Sequence, residues 1–247
     1  MSEPHPVSND RLHGRPFPNA DSLCETCGYR LQGLPPEGNC PECGTAIQAS
    51  HPDHRPGLLW QQRQTLRTWW TTNWCVMMHP KQSFRRMNTG GSSDEEFMFF
   101  ITNGFVASMI YIISWFGVVR RYGGPPVGTE SLPFCCSVFP AIAVLTFLEA
   151  IGITHFSGKR GWRIPFRKSF RLCAYCSAGW FPGVLLLVTI TLPTPKEVIS
   201  GWIDLLPTGL PVPTWFLFWA GVFAVTVLPF EILSSIGMRQ IRYANAP

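Results

Sequence analysis

Charge is scarce in this sequence: Asp, Glu, Lys and Arg make up 14% of its 247 residues, about half the share of a typical soluble domain. That shortage argues against an ordinary solvated fold. The first fifty residues hold no apolar run of signal-peptide length, so the N-terminus is expected to stay on the side where it is made. Nowhere do a nucleophile, a base and oxyanion donors stand together at a recognisable spacing, so the chain reads as non-enzymatic. Basic residues outnumber acidic ones, 20 to 15, for a net charge of +5. They form no stripe of the kind that tracks nucleic acid, but cluster beside apolar segments, a placement that suits anionic lipid headgroups.

What is abundant is aromatic and apolar. Aromatics reach 13%, with 10 Trp and 18 Phe, and the mean hydropathy of +0.10 averages a polar first third with a strongly apolar remainder. Residues 1–22 have almost no large apolar side chains and read as a disordered leader. Residues 23–48 form a compact cysteine-bearing module, and residues 49–57 read as a linker. Residues 58–95 read as an amphipathic or interfacial helical segment. Leu59, Leu66, Trp70, Trp74 and Met77 recur there at helical spacing, with Arg63 and Arg67 on the other face, so that the helix either lies flat among headgroups or packs on the helices that follow.

Residues 96–247 are expected to form the transmembrane domain. Four segments, 97–119, 132–153, 172–192 and 214–233, meet the length of about 20 apolar residues that crosses a bilayer. Residues 198–210 are too short and contain Asp204 and Pro207, which suits a re-entrant or interfacial loop. The connection after the second span carries Lys159, Arg160, Arg163, Arg167, Lys168 and Arg171, whereas that after the third carries only Lys196. The positive-inside rule then puts both termini in the cytoplasm. The fold class is thus an all-α polytopic helix bundle of four spans with a small N-terminal β-hairpin zinc ribbon.

The ribbon is read from Cys24-x2-Cys27 and Cys40-x2-Cys43, two matched knuckles twelve residues apart. Four thiolates complete a closed tetrahedral site for one structural Zn2+. Two disulfides are the rival, and a reducing cytoplasm argues against them. A closed set of four sulfurs also leaves no open position for chemistry on the metal. Few apolar residues are available as a core, namely Leu23, Tyr29, Leu31, Leu34 and Ile47, so the metal is expected to supply most of the module's folding free energy.

The string Cys24-Glu-Thr-Cys-Gly-Tyr-Arg-Leu-Gln-Gly-Leu-Pro, followed by Cys40-Pro-Glu-Cys-Gly, resembles a zinc-ribbon leader of bacterial membrane proteins. More faintly, His79-Pro-Lys-Gln-Ser-Phe-Arg-Arg-Met and the run from Phe170 to Pro182 resemble segments of the Yip family. The eukaryotic members of that family bind Rab-type GTPases. The resemblance implies a scaffold or adaptor in a bacterial inner membrane. Yip proteins usually have five spans, against the four counted here.

Glu149 and Glu231 are the acidic residues inside spans, both near cytoplasmic ends, where they either face each other or pair with Arg163, Arg167 or Arg239. Cys173 and Cys176 repeat the CxxC spacing within a span and read as packing residues. Gly179-x3-Gly183 with Pro182 offers a kinked face for close helix approach. The expected partners are membrane lipids and a protein docked on the ribbon. Nucleic acid is disfavoured, because residues 21–50 carry Arg30 as their one cation beside Glu25, Glu37 and Glu42. A homo-oligomer or larger membrane assembly is compatible with the Trp-rich surface. The alternative function is a small transporter or channel using Glu149 and Glu231.

Overall fold

The computed structural model describes residues 22–90, 94–122, 132–191 and 214–245. The leader up to residue 21, the segment 198–210 and most of the connections between the long helices lie outside them. Among the described residues the chain is mostly helical. After the cysteine module come α1 (Leu59–Gln62), α2 (Leu66–Met78), α3 (Pro80–Arg86), α4 (Asp94–Tyr122), α5 (Leu132–Lys159), α6 (Phe166–Cys176), α7 (Trp180–Thr191) and α8 (Thr214–Ile241).

Local chemistry sets several of these boundaries. Thr65 caps α2 by accepting from the Thr68 amide at 3.2 Å, while the Thr68 hydroxyl accepts from the Thr65 amide at 3.0 Å. Pro80 occupies the first turn of α3, where its missing N–H costs nothing. Asp94, Glu95 and Glu96 open α4, and Arg85 and Arg86 close α3, each matching the local helix dipole. A 3-10 turn over Ser177–Gly179 separates α6 from α7. The expected third span is therefore two helices joined by a tight turn, because Pro182 has no N–H to return to the carbonyl of Ala178.

Two helical stretches, Asp94–Ile113 and Val138–Lys159, are long and apolar enough to cross a membrane. The bundle buries several polar side chains within its apolar core, while large apolar side chains stand on its outer surface. Glu96, Asn73, Asn103, Thr146, Arg171, Ser177 and Ser234 are buried, while Phe105, Ile113, Val144, Leu148, Phe156, Leu185 and Phe223 are exposed. The core that holds the helices together is built on Phe84, Phe99, Phe100, Leu172, Tyr175 and Phe230. The small-residue face works as its spacing suggests. A Cβ on Gly179 would lie 2.7 Å from the Phe230 backbone, and one on Gly183 would strike the Thr226 carbonyl, so α7 lies directly against α8.

The sequence reading of α2 needs correction on one point. Arg67 shares the outward side with Trp70 and Trp74, since it precedes them by three and seven residues. The side turned into the bundle carries Thr72, Asn73 and Val76, leaving Trp70 66% exposed and Leu66 84% exposed.

Candidate functional site

Each knuckle is closed by the same pair of backbone hydrogen bonds. Gly28 N–H donates to Cys24 O at 2.8 Å and Cys24 N–H to Tyr29 O at 2.8 Å; Gly44 N–H donates to Cys40 O at 2.9 Å and Cys40 N–H to Thr45 O at 2.8 Å. Gly28 and Gly44 turn at φ +82° and +71°, the left-handed region that a Cβ disfavours. Single antiparallel bridges, Leu23 with Arg30 and Asn39 with Ala46, take the place of the expected β-hairpin strands. Runs this short, bent by a glycine on the turn side, do not extend into a ladder. Leu31, Ile47 and Leu34 pack on Cys24 and Cys40, whereas Tyr29 is 38% exposed and stands outside the expected core.

The two knuckles bring Cys24, Cys27, Cys40 and Cys43 together, with all four sulfurs within 4.8 Å of one another. Cys24 Sγ and Cys43 Sγ are 3.5 Å apart, and Cys27 Sγ and Cys40 Sγ 3.6 Å. Tetrahedral Zn–S bonds of about 2.3 Å require S···S separations of about 3.8 Å, so the donor set fits a single zinc ion. The Thr45 hydroxyl, 3.3 Å from Cys43 Sγ, and the Thr45 amide favour the thiolate, pulling the Cys43 thiol down to about 6. Desolvation and the crowding of the other sulfurs push the Cys27 thiol up to about 12, a cost that a cation relieves by stabilising the negative charge. Deprotonated sulfur is the form a metal binds.

The module is seated firmly on one end of the helices. Buried Arg55 donates from Nε and Nη2 to the Glu25 carboxylate, both at 2.9 Å, from Nη1 to Phe84 O at 3.0 Å, and from Nη2 to Gln240 O at 3.0 Å. One guanidinium thereby joins the first knuckle, α3 and the end of α8. Asn245 adds a second grip: its Nδ2 donates to Leu23 O at 2.8 Å and Ser50 O at 2.7 Å, and its Oδ1 accepts from Leu23 N–H at 2.9 Å. Arg242 Nη2 donates to Thr26 O at 2.8 Å, and the Tyr243 ring lies so close to Gly28 that a Cβ there would be 2.8 Å away. The second knuckle, Pro41 to Gly44, and Gln32, Gly33 and Glu37 of the connection remain exposed.

Two polar clusters inside the bundle have no counterpart in the sequence reading. Arg171 Nε and Nη2 donate to Glu96 Oε1 at 3.0 and 2.9 Å, and Nη1 donates to the carbonyls of Asn88 and Gly90. Asn73 and Asn103 exchange amide hydrogen bonds at 3.2 and 2.9 Å. Asn103 also donates to Ser177 Oγ at 2.9 Å and accepts from Trp69 Nε1 at 2.7 Å. The first cluster had a signal. Glu96 and Arg171 each immediately precede an expected span on the cytoplasmic side, which places them at one depth.

Of the two carboxylates singled out from the sequence, Glu149 reaches α8: the Ser234 hydroxyl, one turn beyond Glu231, donates to Glu149 Oε1 at 3.2 Å and to the Glu231 backbone carbonyl at 3.0 Å. Cys173 and Cys176 are both buried in α6, away from the four-cysteine cluster, and read as packing. The chain matches no known protein family, no curated protein and no solved structure.

Proposed function

We propose that this chain is a non-enzymatic integral membrane protein whose cytoplasmic zinc ribbon docks a protein partner on a Yip-like helical scaffold. The observation that carries the membrane part is the row of large apolar side chains on the outer surface of helices whose core, though mainly apolar, buries a Glu96–Arg171 pair and an Asn73–Asn103 pair. Water rewards the opposite arrangement, and lipid rewards this one. On this reading α4, α5, α6 with α7, and α8 are the four crossings.

Orientation has support from the clustering of cations. Arg55, Arg85, Arg163, Lys168 and Arg242 gather at the ribbon's end of the bundle, tied to the close of α8 through Gln240, Arg242 and Ala244. Placing this end in the cytoplasm satisfies the positive-inside rule and keeps the four thiols reduced for zinc. The ribbon's first knuckle meets the helices through Glu25, Thr26 and Gly28, so docking belongs to the exposed second knuckle and connection, which make no such contacts among the described residues. Crosslinking in native membranes tests this: a Cys40→Ser, Cys43→Ser variant loses partners that the unsubstituted chain captures. Capture of the same set by both would remove the ribbon from recruitment.

A transporter or channel is the second reading, favoured by the Glu149–Ser234–Glu231 arrangement. Flux through the purified protein in liposomes, abolished by Glu149→Gln, would replace the adaptor account with this one.

A further inference from the structure

Leu228, Glu231, Ile232, Ser235 and Arg239 fall on one face of α8. With Lys81 of α3 they line an open groove of about 400 Å³. Its two ends differ in chemistry. Leu228 and Ile232, each about half exposed at 51% and 49%, make the deep end mainly apolar, with the Glu231 carboxylate between them as its polar group. Ser235, Arg239 and Lys81, all exposed, make the shallow end polar and cationic. The rim is fixed by Gln240, whose Oε1 accepts from Arg85 Nε at 3.0 Å and whose carbonyl accepts from Arg55 at 3.0 Å.

Leu228 and Arg239 are separated by about 16 Å along the helix, close to the ~15 Å of one leaflet's hydrocarbon. The polarity also runs the right way, because the cationic end of α8 is its cytoplasmic end in the proposed topology. We propose that this groove binds one anionic phospholipid of the cytoplasmic leaflet. Its phosphate lies between Lys81 and Arg239, the Ser235 hydroxyl donates to a headgroup or glycerol oxygen, and an acyl chain runs along Ile232 and Leu228. The assignment rests on the membrane reading given above.

Charge and shape select this occupant. Glu231 lies about 12 Å deeper than Arg239, clear of the phosphate. A free phosphate would satisfy the two cations but leave the apolar end empty.

The test mixes the full-length protein in detergent with equimolar phosphatidylglycerol and phosphatidylcholine of identical chains and counts retained lipid by native mass spectrometry. One phosphatidylglycerol per chain is retained in preference. Lys81→Gln and Arg239→Gln each lower that preference roughly fivefold, whereas Arg160→Gln, at the same end but outside the groove, leaves it unchanged. Ile232→Trp fills the apolar end and weakens retention without altering charge. Equal retention of the two lipids overturns the proposal, as does displacement by soluble glycerol phosphate or a dimer mass in place of bound lipid. Carbonate washing of membranes separates the two levels of the argument. A chain that resists extraction but shows no lipid preference refutes the lipid site alone, and a chain that is extracted refutes the membrane reading as well.

Discussion

Arg171 grips a single oxygen of Glu96 with two nitrogens, Nε at 3.0 Å and Nη2 at 2.9 Å, and both side chains are 1% exposed. The pair ties the start of α4 to α6, and through the carbonyls of Asn88 and Gly90 it also holds the segment that follows α3. Removing one partner leaves the other charge buried. Arg171→Met is expected to destabilise the protein by about 3–5 kcal/mol, read from thermal unfolding in detergent. The Glu96→Met, Arg171→Met double variant is expected to recover at least part of that loss, because it leaves no orphaned charge. A double variant less stable than the single one would show that the pair is not acting as a unit.

The Asn245 side chain makes three hydrogen bonds to the ribbon side, two from Nδ2 and one to Oδ1. At about 1 kcal/mol net for each, Asn245→Ala should loosen the ribbon without dissolving it. Hydrogen exchange across residues 23–48 is expected to accelerate while bound metal stays constant. Unchanged exchange would mean that Arg55, Arg242 and Tyr243 hold the seat without it.

The 3-10 turn that leads into α7 is pressed on α8 at Gly179, where a Cβ would lie 2.7 Å from backbone atoms of Phe230. Backbone cannot move aside as a flexible side chain can. Gly179→Ala should cost about 1–3 kcal/mol, whereas Gly152→Ala, with nothing within 4 Å of its Cβ, should be neutral or stabilising by about 0.5–1 kcal/mol. Melting temperatures of the two variants compare these directly, and equal effects would contradict the packing.

Lys168, in the first turn of α6 ahead of the third crossing at residue 172, is half-buried near Arg55, with Nζ donating to Ala244 O at 2.6 Å. Burial, reinforced by the Arg55 charge, lowers its ammonium from 10.5 to about 8. The folded chain therefore holds this proton less tightly than the unfolded chain. Below pH 8 the cost of the buried charge is fully present, and between about 8 and 10.5 stability rises as the folded lysine loses its proton first. Relative to a Lys168→Met variant, the unsubstituted protein should gain melting temperature over that window. A difference that stays flat with pH would show that the lysine is not desolvated.

The legible parts of this fold were those with local signatures. The Cys24–Cys27 and Cys40–Cys43 spacing identified the four-sulfur cluster, because each knuckle is made by residues within a few positions of one another. Long apolar runs located α4 and α5, and Gly179 and Gly183 announced a close helix contact. The illegible parts depend on residues far apart in sequence. Asn245 reaches Leu23, and Arg171 reaches Glu96. Arg55, read as part of a linker, is buried because α3, α8 and the first knuckle converge on it. The polar side of α2 is buried for a related reason: Asn103 of α4 and Ser177 beyond α6 supply partners that no helical periodicity reveals.

A metal-bound ribbon carried by a membrane protein is tested most directly by the metal content of the full-length chain purified from washed membranes. One zinc per chain is expected in that fraction, lost in the Cys40→Ser, Cys43→Ser variant. Membrane-bound protein carrying less than about half an equivalent of zinc after gentle purification would contradict it.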